Sequence, residues 1–323
     1  MRAIIAQPSG PQVTDIPQPS PGDQEVLVRV RAAALNRIDL VMSRGAAHGE
    51  AGGAGLPFGV EWAGEIVEVG SAVDRWSVGD RVMGAGPQAF AEYKAAHAFT
   101  LYPVPDGLSF EQAATLPVGL QTMHDAIATK GLLEPGQSVL VQGASSGMGL
   151  MGMQVAKALG AGLVIGTSTS AERRSRLKEF GADLVVDSRA EDWVDQVARA
   201  TDGAGVDLLV DLVAGPLVSD GMRATRVGGR MVNIGRVGGE SGEVDFDLHS
   251  MRQITYIGVT FRTRTPLEIV QVIGRASAAL KPALDEGLIQ VPVDTVYDLS
   301  DSAAAFERMA QNKHFGKIII AFG

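Results

Sequence analysis

The sequence contains no cysteine among its 323 residues. Disulfides, thiolate metal sites and a cysteine nucleophile are therefore excluded together. Positive charge is also in deficit: 28 Lys and Arg against 37 Asp and Glu leave a net charge of −9. Sequence-independent nucleic-acid binding needs a basic surface to displace counterions, so that class is set aside. No apolar run reaches membrane-spanning length without interruption, and the apolar part of the N-terminus is too short for a secretory signal. The expectation is a cytoplasmic protein that does not enter the membrane. The five histidines, His48, His97, His124, His249 and His314, show no metal-ligand spacing, and no internal repeat is visible at solenoid spacing.

What is present suffices for two ordinary domains, with a hydrophobic content of 46% to build their cores. The most informative stretch runs from Ser138 to Gly162. An apolar run of strand length breaks into the turn Gly143, Ala144, Ser145, Ser146, Gly147, Met148, Gly149, then resumes with helical periodicity through Met153, Val155, Ala156 and Leu159. Strand, glycine turn and helix in that order suit a pyrophosphate, because a helix start offers unpaired N–H groups and glycine removes the Cβ obstacle. A second buried strand follows at Leu163, and then the polar segment Thr167, Ser168, Thr169, Ser170, where a nucleotide ribose would lie.

Before this stretch, residues 1 to about 118 alternate short β-type runs with proline and glycine clusters. A short helical pattern at residues 35–42 interrupts them, with Asn36 placed to cap it and Asp39 in its first turn. The tract from Gly45 to Gly55 is rich in glycine and alanine and reads as a mobile surface loop. After about Leu116, strands are expected at 139–142, 163–166, 184–187, 207–211, 230–234 and 255–261. Helical windows between them include 171–180 and 191–201. That alternation implies an α/β fold with an open, doubly wound parallel sheet. A closing strand-like run at residues 317–321 is positioned to pair back onto the N-terminal β domain.

With these elements placed, the chain resembles the medium-chain dehydrogenase/reductase superfamily, in its zinc-free quinone oxidoreductase branch, which includes zeta-crystallin. The resemblance is carried by the order of residues 33–39, 59–64 and 78–82, Pro135-Gly136, the Gly143–Gly149 turn, Leu159-Gly160-Ala161, Gly181-Ala182-Asp183 and residues 316–319. It implies a Rossmann dinucleotide-binding domain at 119–263 and a discontinuous GroES-like β-rich substrate domain at 1–118 and 264–323. Zinc-dependent relatives carry an early cysteine and a histidine just before the glutamate that matches Glu61; here that position is Val60. The glycine spacing is also similar to that of short-chain dehydrogenases. Their Tyr-x-x-x-Lys is missing, since none of Tyr93, Tyr102, Tyr256 or Tyr297 has a lysine four residues later.

The position after the second strand, acidic in NAD-specific Rossmann domains, is Ser168. The resemblance puts Arg173 at a phosphate-binding position, with Thr169, Ser170 and Ser188 lining the adenosine end, so the expected cofactor is NADPH. Near the nicotinamide it points to Thr122, Val213 and Ala214, Ile234 and Gly235, Phe261 and Lys317. Asn36 is expected to hydrogen-bond substrate or nicotinamide, and Asp39 to orient it or cap the helix. Many family members carry an aromatic residue after Gly45; this sequence has Ala46, Ala47 and His48, which leaves His48 as a substitute proton donor.

Hydride transfer without a metal suits quinones and α,β-unsaturated carbonyl compounds, whose conjugation carries charge away from the carbon that receives hydride. The rival expectations are an enoyl-thioester reductase, with Arg262 and Arg264 at a basic entrance, and a weakly catalytic NADPH-binding sensor or structural protein. The apolar sixth strand at a sheet edge predicts a homodimer.

Overall fold

The computed structural model describes residues 1–49 and 51–323. The chain forms two compact units: Met1–Val118 with Phe261–Ala278 and Gln290–Gly323, and Gly119–Thr260 with Ala279–Ile289.

The second unit is built on a six-stranded parallel sheet. Its spatial order is Leu184–Val186, Leu163–Thr167, Ser138–Gln142, Val206–Asp211, Thr225–Asn233 and Thr255–Gly258. Numbered along the chain this is 3-2-1-4-5-6, the Rossmann arrangement, in which the strand order reverses beside the first strand. The central strands read as continuous apolar runs because helices cover both faces. Leu140, Ile165, Leu209 and Met231 form one core layer with Trp193, Val197 and Met222 from the helices.

The window at 171–180 is not one helix. It divides into Ala171–Ser175, capped by Ser170, and a tighter turn Leu177–Phe180 that ends at Gly181 with φ 92°. The expected strand at 255–261 stops at Gly258. Pro117–His124 continues as a π-helical turn, Asp125–Lys130.

The first unit is a β-rich body around a seven-stranded sheet. Val293–Asp298 and Lys317–Ala321 join it beside Glu25–Ala34, followed by Glu61–Val69, Arg81–Ala85 and Leu101–Pro103; Tyr93–His97 also pairs with Glu25–Ala34. The closing run therefore does pair back onto the N-terminal strands. Phe58, Phe90 and Phe306 pack at its centre with ring centroids 5.3 to 5.8 Å apart.

Two expectations for this unit are corrected. The tract from Gly45 to Gly55 is no loose loop: Ala47–His48 pairs with Ala51–Gly52, and Ala51 is buried in the core. Gly45, Gly49, Gly52, Gly53 and Gly55 have positive φ, a conformation that few other residues would permit. Asn36 does not cap the short helix Asp39–Met42, whose N-cap position is Ile38. The carboxylate of Asp39 instead accepts the Asn36 backbone N–H at 2.6 Å.

Candidate active site

In the second unit the fingerprint is tighter than its sequence suggests. The helix begins at Gly147 and runs to Ala158, so the turn itself is only Gly143 to Ser146. Ser146 closes it: its hydroxyl donates to the Gly143 carbonyl at 2.9 Å and accepts the Gly149 N–H at 3.1 Å. Gly143 has φ 75°. A Cβ at Gly149 would lie 2.5 Å from Ala144 Cα and from the Gly143 carbonyl oxygen. Backbone atoms cannot give way at that distance, so only glycine fits. The result is a helix start with glycine at its first and third positions, at the C-terminal end of the first strand, the place where a dinucleotide diphosphate is held in this fold.

Around this turn the structure gathers several of the expected residues. Ser168 donates to or accepts from Ser145 between hydroxyls 2.9 Å apart, and its own hydroxyl accepts the Ser170 N–H at 3.3 Å. Ser170 caps the next helix by accepting the Arg173 N–H at 3.3 Å. Arg174 makes an ion pair here, reaching Asp187 at 3.1 Å and the Ser168 carbonyl at 2.7 Å. Arg189 also approaches Asp187 and donates to the Thr169 carbonyl. The sequence reading missed Asp187, a carboxylate next to Ser188; the Arg189 backbone N–H, with both guanidinium groups, holds it below the usual carboxylate range.

The loop after the fourth strand is fixed by a second unforeseen group. Asp211 is buried, and one carboxylate oxygen accepts the N–H groups of Val213 and Ala214 at 2.8 Å each, while Asn233 donates to the other at 3.3 Å. Burial pushes the Asp211 carboxyl upward against these donors. Ala214 is forced to φ 57°, ψ −150°, a strained conformation for a residue with a Cβ and of a kind found at binding sites. Val213 lies against Gly143, since a Cβ there would meet its side chain at 3.2 Å. Gly235, beside Ile234, lies so close to the Leu212 carbonyl that a Cβ would sit 2.4 Å from the oxygen. Thr122 is buried in the helix Pro117–His124, whose Gly119 and Met123 pack on Met151 and Gly152 of the fingerprint helix. Met148 is part of the first turn of that helix, with its neighbours Gly147 and Gly149.

In the first unit a buried polar cluster joins residues far apart in sequence. The Lys317 ammonium donates to Glu61 Oε2 and to Asn36 Oδ1, each at 2.6 Å. Asn36 Nδ2 donates to Glu61 Oε2 at 3.1 Å and to the Ala34 carbonyl at 3.3 Å. Glu61 Oε1 accepts the Val118 N–H at 2.7 Å. Both amide hydrogens of Asn36 are thus spent inside the protein, which leaves acceptor capacity on its oxygen, while Lys317 keeps a third N–H. Asp39 is fully buried, and burial drives its carboxyl up to about 7 despite the Asn36 N–H and Lys317. Sequence reasoning named Asn36, Asp39 and Lys317 but not Glu61 as a site residue. The available signal was a carboxylate inside the apolar run Val60 to Ala63, which burial tolerates only with a partner.

Two further expected residues, Phe261 and His48, each lie beside an arginine. Phe261 carries the Arg264 guanidinium 4.9 Å above its ring. His48 is half-buried, and burial with the nearby Arg262 pushes its imidazolium below the ordinary value, which opposes storing a proton there to donate. Among the described residues no group of three or more His, Asp or Glu side chains is arranged to hold a metal ion.

A Rossmann sheet with a glycine-rich helix start, in one chain with a β-rich unit, defines the two-domain class of nicotinamide-dependent dehydrogenases and reductases. Residues 22–106 match the alcohol dehydrogenase GroES-like domain and residues 147–278 match the zinc-binding dehydrogenase domain. The chain is 29% identical to the quinone oxidoreductase of Rattus norvegicus, over 99% of this chain and 97% of that one. Among solved structures it is similar to Escherichia coli quinone oxidoreductase complexed with NADPH, at 25% identity, TM-score 0.85 and full coverage of both chains (100%). It is also similar to the CurK enoyl reductase, at 26% identity and TM-score 0.86, covering 100% of this chain and 99% of that one. The chain belongs to the medium-chain dehydrogenase/reductase superfamily, in its quinone oxidoreductase branch. It also spans 14% of the length of a Mycobacterium tuberculosis polyketide synthase subunit to which it is 31% identical. The zinc in the name of one matching domain finds no support in these side chains: cysteine is absent and Val60 precedes Glu61.

Proposed function

We propose that the chain reduces quinones or α,β-unsaturated carbonyl compounds with NADPH, by direct hydride transfer. The carrying observation is the start of the helix Gly147–Ala158, where a Cβ at Gly149 would collide with the turn's own backbone, so that position admits only glycine. This cradle fits a dinucleotide diphosphate, with Gly143 to Gly149 holding it, Ser168, Thr169, Ser170, Arg173 and Ser188 at the adenosine end, and Thr122, Val213, Ile234 and Gly235 toward the nicotinamide. When bound, the nicotinamide supplies the hydride.

The protein's own part is to orient the two reactants, exclude water and stabilise the negative charge that forms on the acceptor oxygen. Asn36, Asp39 and Lys317 are assigned to the acceptor side, with Phe261 and Lys317 completing the nicotinamide surroundings. The remaining Lys317 N–H is the donor for that oxygen. An alcohol substrate would instead require a Lewis acid or a strong base, and among the described residues no group of three or more His, Asp or Glu is arranged to hold a metal ion.

The choice of NADPH over NADH rests on Ser168 in place of a carboxylate and on Arg173, with Asp187 neutralised by Arg174 and Arg189. The enoyl-thioester reductase reading is supported by the likeness to CurK. Rapid mixing of the protein and NADPH with a quinone, a 2-alkenal, an enone and crotonyl-CoA separates these readings. Preferred turnover of crotonyl-CoA selects the thioester reading, and tight NADPH binding with no turnover selects a binding protein.

A homodimer through the edge strand Thr255–Gly258 completes the proposal. Its Tyr256 is exposed, and Phe246 and Met251 of the preceding helix are exposed as well.

A further inference from the structure

Two carboxylates and one ammonium are buried together in the first unit, and the hydrogen bonds are divided unequally between the acids. Glu61 takes the Lys317 ammonium, the Asn36 amide and the Val118 N–H. Asp39 takes the Asn36 backbone N–H on Oδ2, and its buried Oδ1 has no partner. One ammonium cannot neutralise both acids, so the cluster is neutral only when one of them holds a proton. That proton belongs on Asp39, the acid without the ammonium contact, whose buried Oδ1 has no partner. Burial accordingly holds the Asp39 carboxyl at about 7.

The charged groups acting on Asp39 are Lys317 and Glu61. The helix Ser302–Ala310 also packs on the short helix that begins at Asp39. It adds no charge there, since Glu307 is exposed and Arg308 is held by Asp294 at 2.5 Å. Arg37 turns away to Asn312 at 2.7 Å.

We propose that Asp39 is a positioning residue that sets the potential of the Lys317 and Asn36 pair: as the neutral acid it permits hydride transfer, and as the carboxylate it retards it. This rests on the reductase reading, in which Lys317 faces the acceptor oxygen. Hydride arrival builds negative charge on that oxygen, and the ammonium stabilises it. A second anion beside the ammonium offsets that field and slows the step. Asp39 transmits its charge through the Asn36 backbone and the Asn36 Oδ1 contact with Lys317, with no need to touch the substrate itself.

The experiment is single-turnover hydride transfer from NADPH to 9,10-phenanthrenequinone, followed from about pH 5.5 to about pH 8.5. The wild-type rate should fall about tenfold as pH rises, with its inflection near Asp39's value and little change in KM. Asp39→Asn, which cannot titrate, should lose the inflection, whatever the height of its flat rate. A flat wild-type profile, or an inflection that survives in Asp39→Asn, overturns the proposal. Should that variant fail to fold, carboxyl NMR of the wild-type chain labelled with carbon-13 aspartate decides: a buried resonance titrating near neutrality supports it, and none above the ordinary aspartate range overturns it. Turnover with a flat profile sinks only the role of Asp39, whereas no turnover with any acceptor sinks the reductase reading beneath it.

Discussion

Lys317 and Glu61 form an ion pair 2.6 Å long in which the lysine side chain is 6% and the glutamate side chain 0% exposed. Removing one partner from such a pair strands the other charge in a poor solvent, at a typical cost of about 3–5 kcal/mol. Lys317→Met should therefore destabilise the protein by about that amount in urea denaturation. Adding Glu61→Gln should restore more than half of the loss. A double variant no more stable than Lys317→Met would show that Glu61 is not the stranded charge.

Gly149→Ala tests the diphosphate cradle. The new methyl would lie 2.5 Å from the backbone of Ala144 and Gly143, so the turn must open. We expect NADPH affinity to fall by at least about tenfold in a fluorescence titration, with overpacking costing about 1–3 kcal/mol of stability. Unchanged affinity would place the diphosphate elsewhere.

Arg173→Ala tests cofactor choice. A charge-assisted contact to a 2′-phosphate is worth about 1.5–3 kcal/mol, so the Kd for NADPH should rise by about one to two orders of magnitude. NADH binding should change little, because NADH lacks that phosphate. Equal losses for both cofactors would remove Arg173 from the site.

Asp39 gives a stability effect whose sign follows from its burial. Its folded value, about 7, lies above the ordinary 3.8. The unfolded chain therefore loses the proton first, and the stability due to neutral Asp39, complete below about pH 4, drains away as pH rises to about 7. The difference between Asp39→Asn and wild type should shift in the variant's favour over that window, by at most about 4 kcal/mol. Urea midpoints at three pH values check it, and a constant difference would contradict the assignment.

The sheet edge gives a last test. Tyr256→Lys places a charge on the exposed edge strand Thr255–Gly258, a device that blocks strand pairing between subunits. Wild type should sediment as a dimer and the variant as a monomer. A wild-type monomer would end the dimer proposal.

The Rossmann strands were legible because strands buried on both faces need apolar runs, and the Gly143–Gly149 turn was legible because backbone approach demands glycine. The hairpin at Ala47–His48 and Ala51–Gly52 was not, since a tract without large side chains gives no periodicity and is ordered by its positive-φ glycines and by the burial of Ala51. The helix expected over 171–180 was broken by local geometry that periodicity does not report.

From the residues alone came the class of fold, the exclusion of thiolate metal chemistry and the proposed place of the diphosphate, because these depend on local pattern and on which side chains exist at all. The tertiary structure decided which charges meet. Asn36, Glu61 and Lys317 are separated by up to 281 positions, and the pairing of both Lys317–Ala321 and Glu61–Val69 with Glu25–Ala34 brings them to hydrogen-bond distance. The closed structure also decided which carboxylate holds the ammonium, Glu61, and burial raises the other, Asp39, since desolvation acts only once the chain has closed around the group.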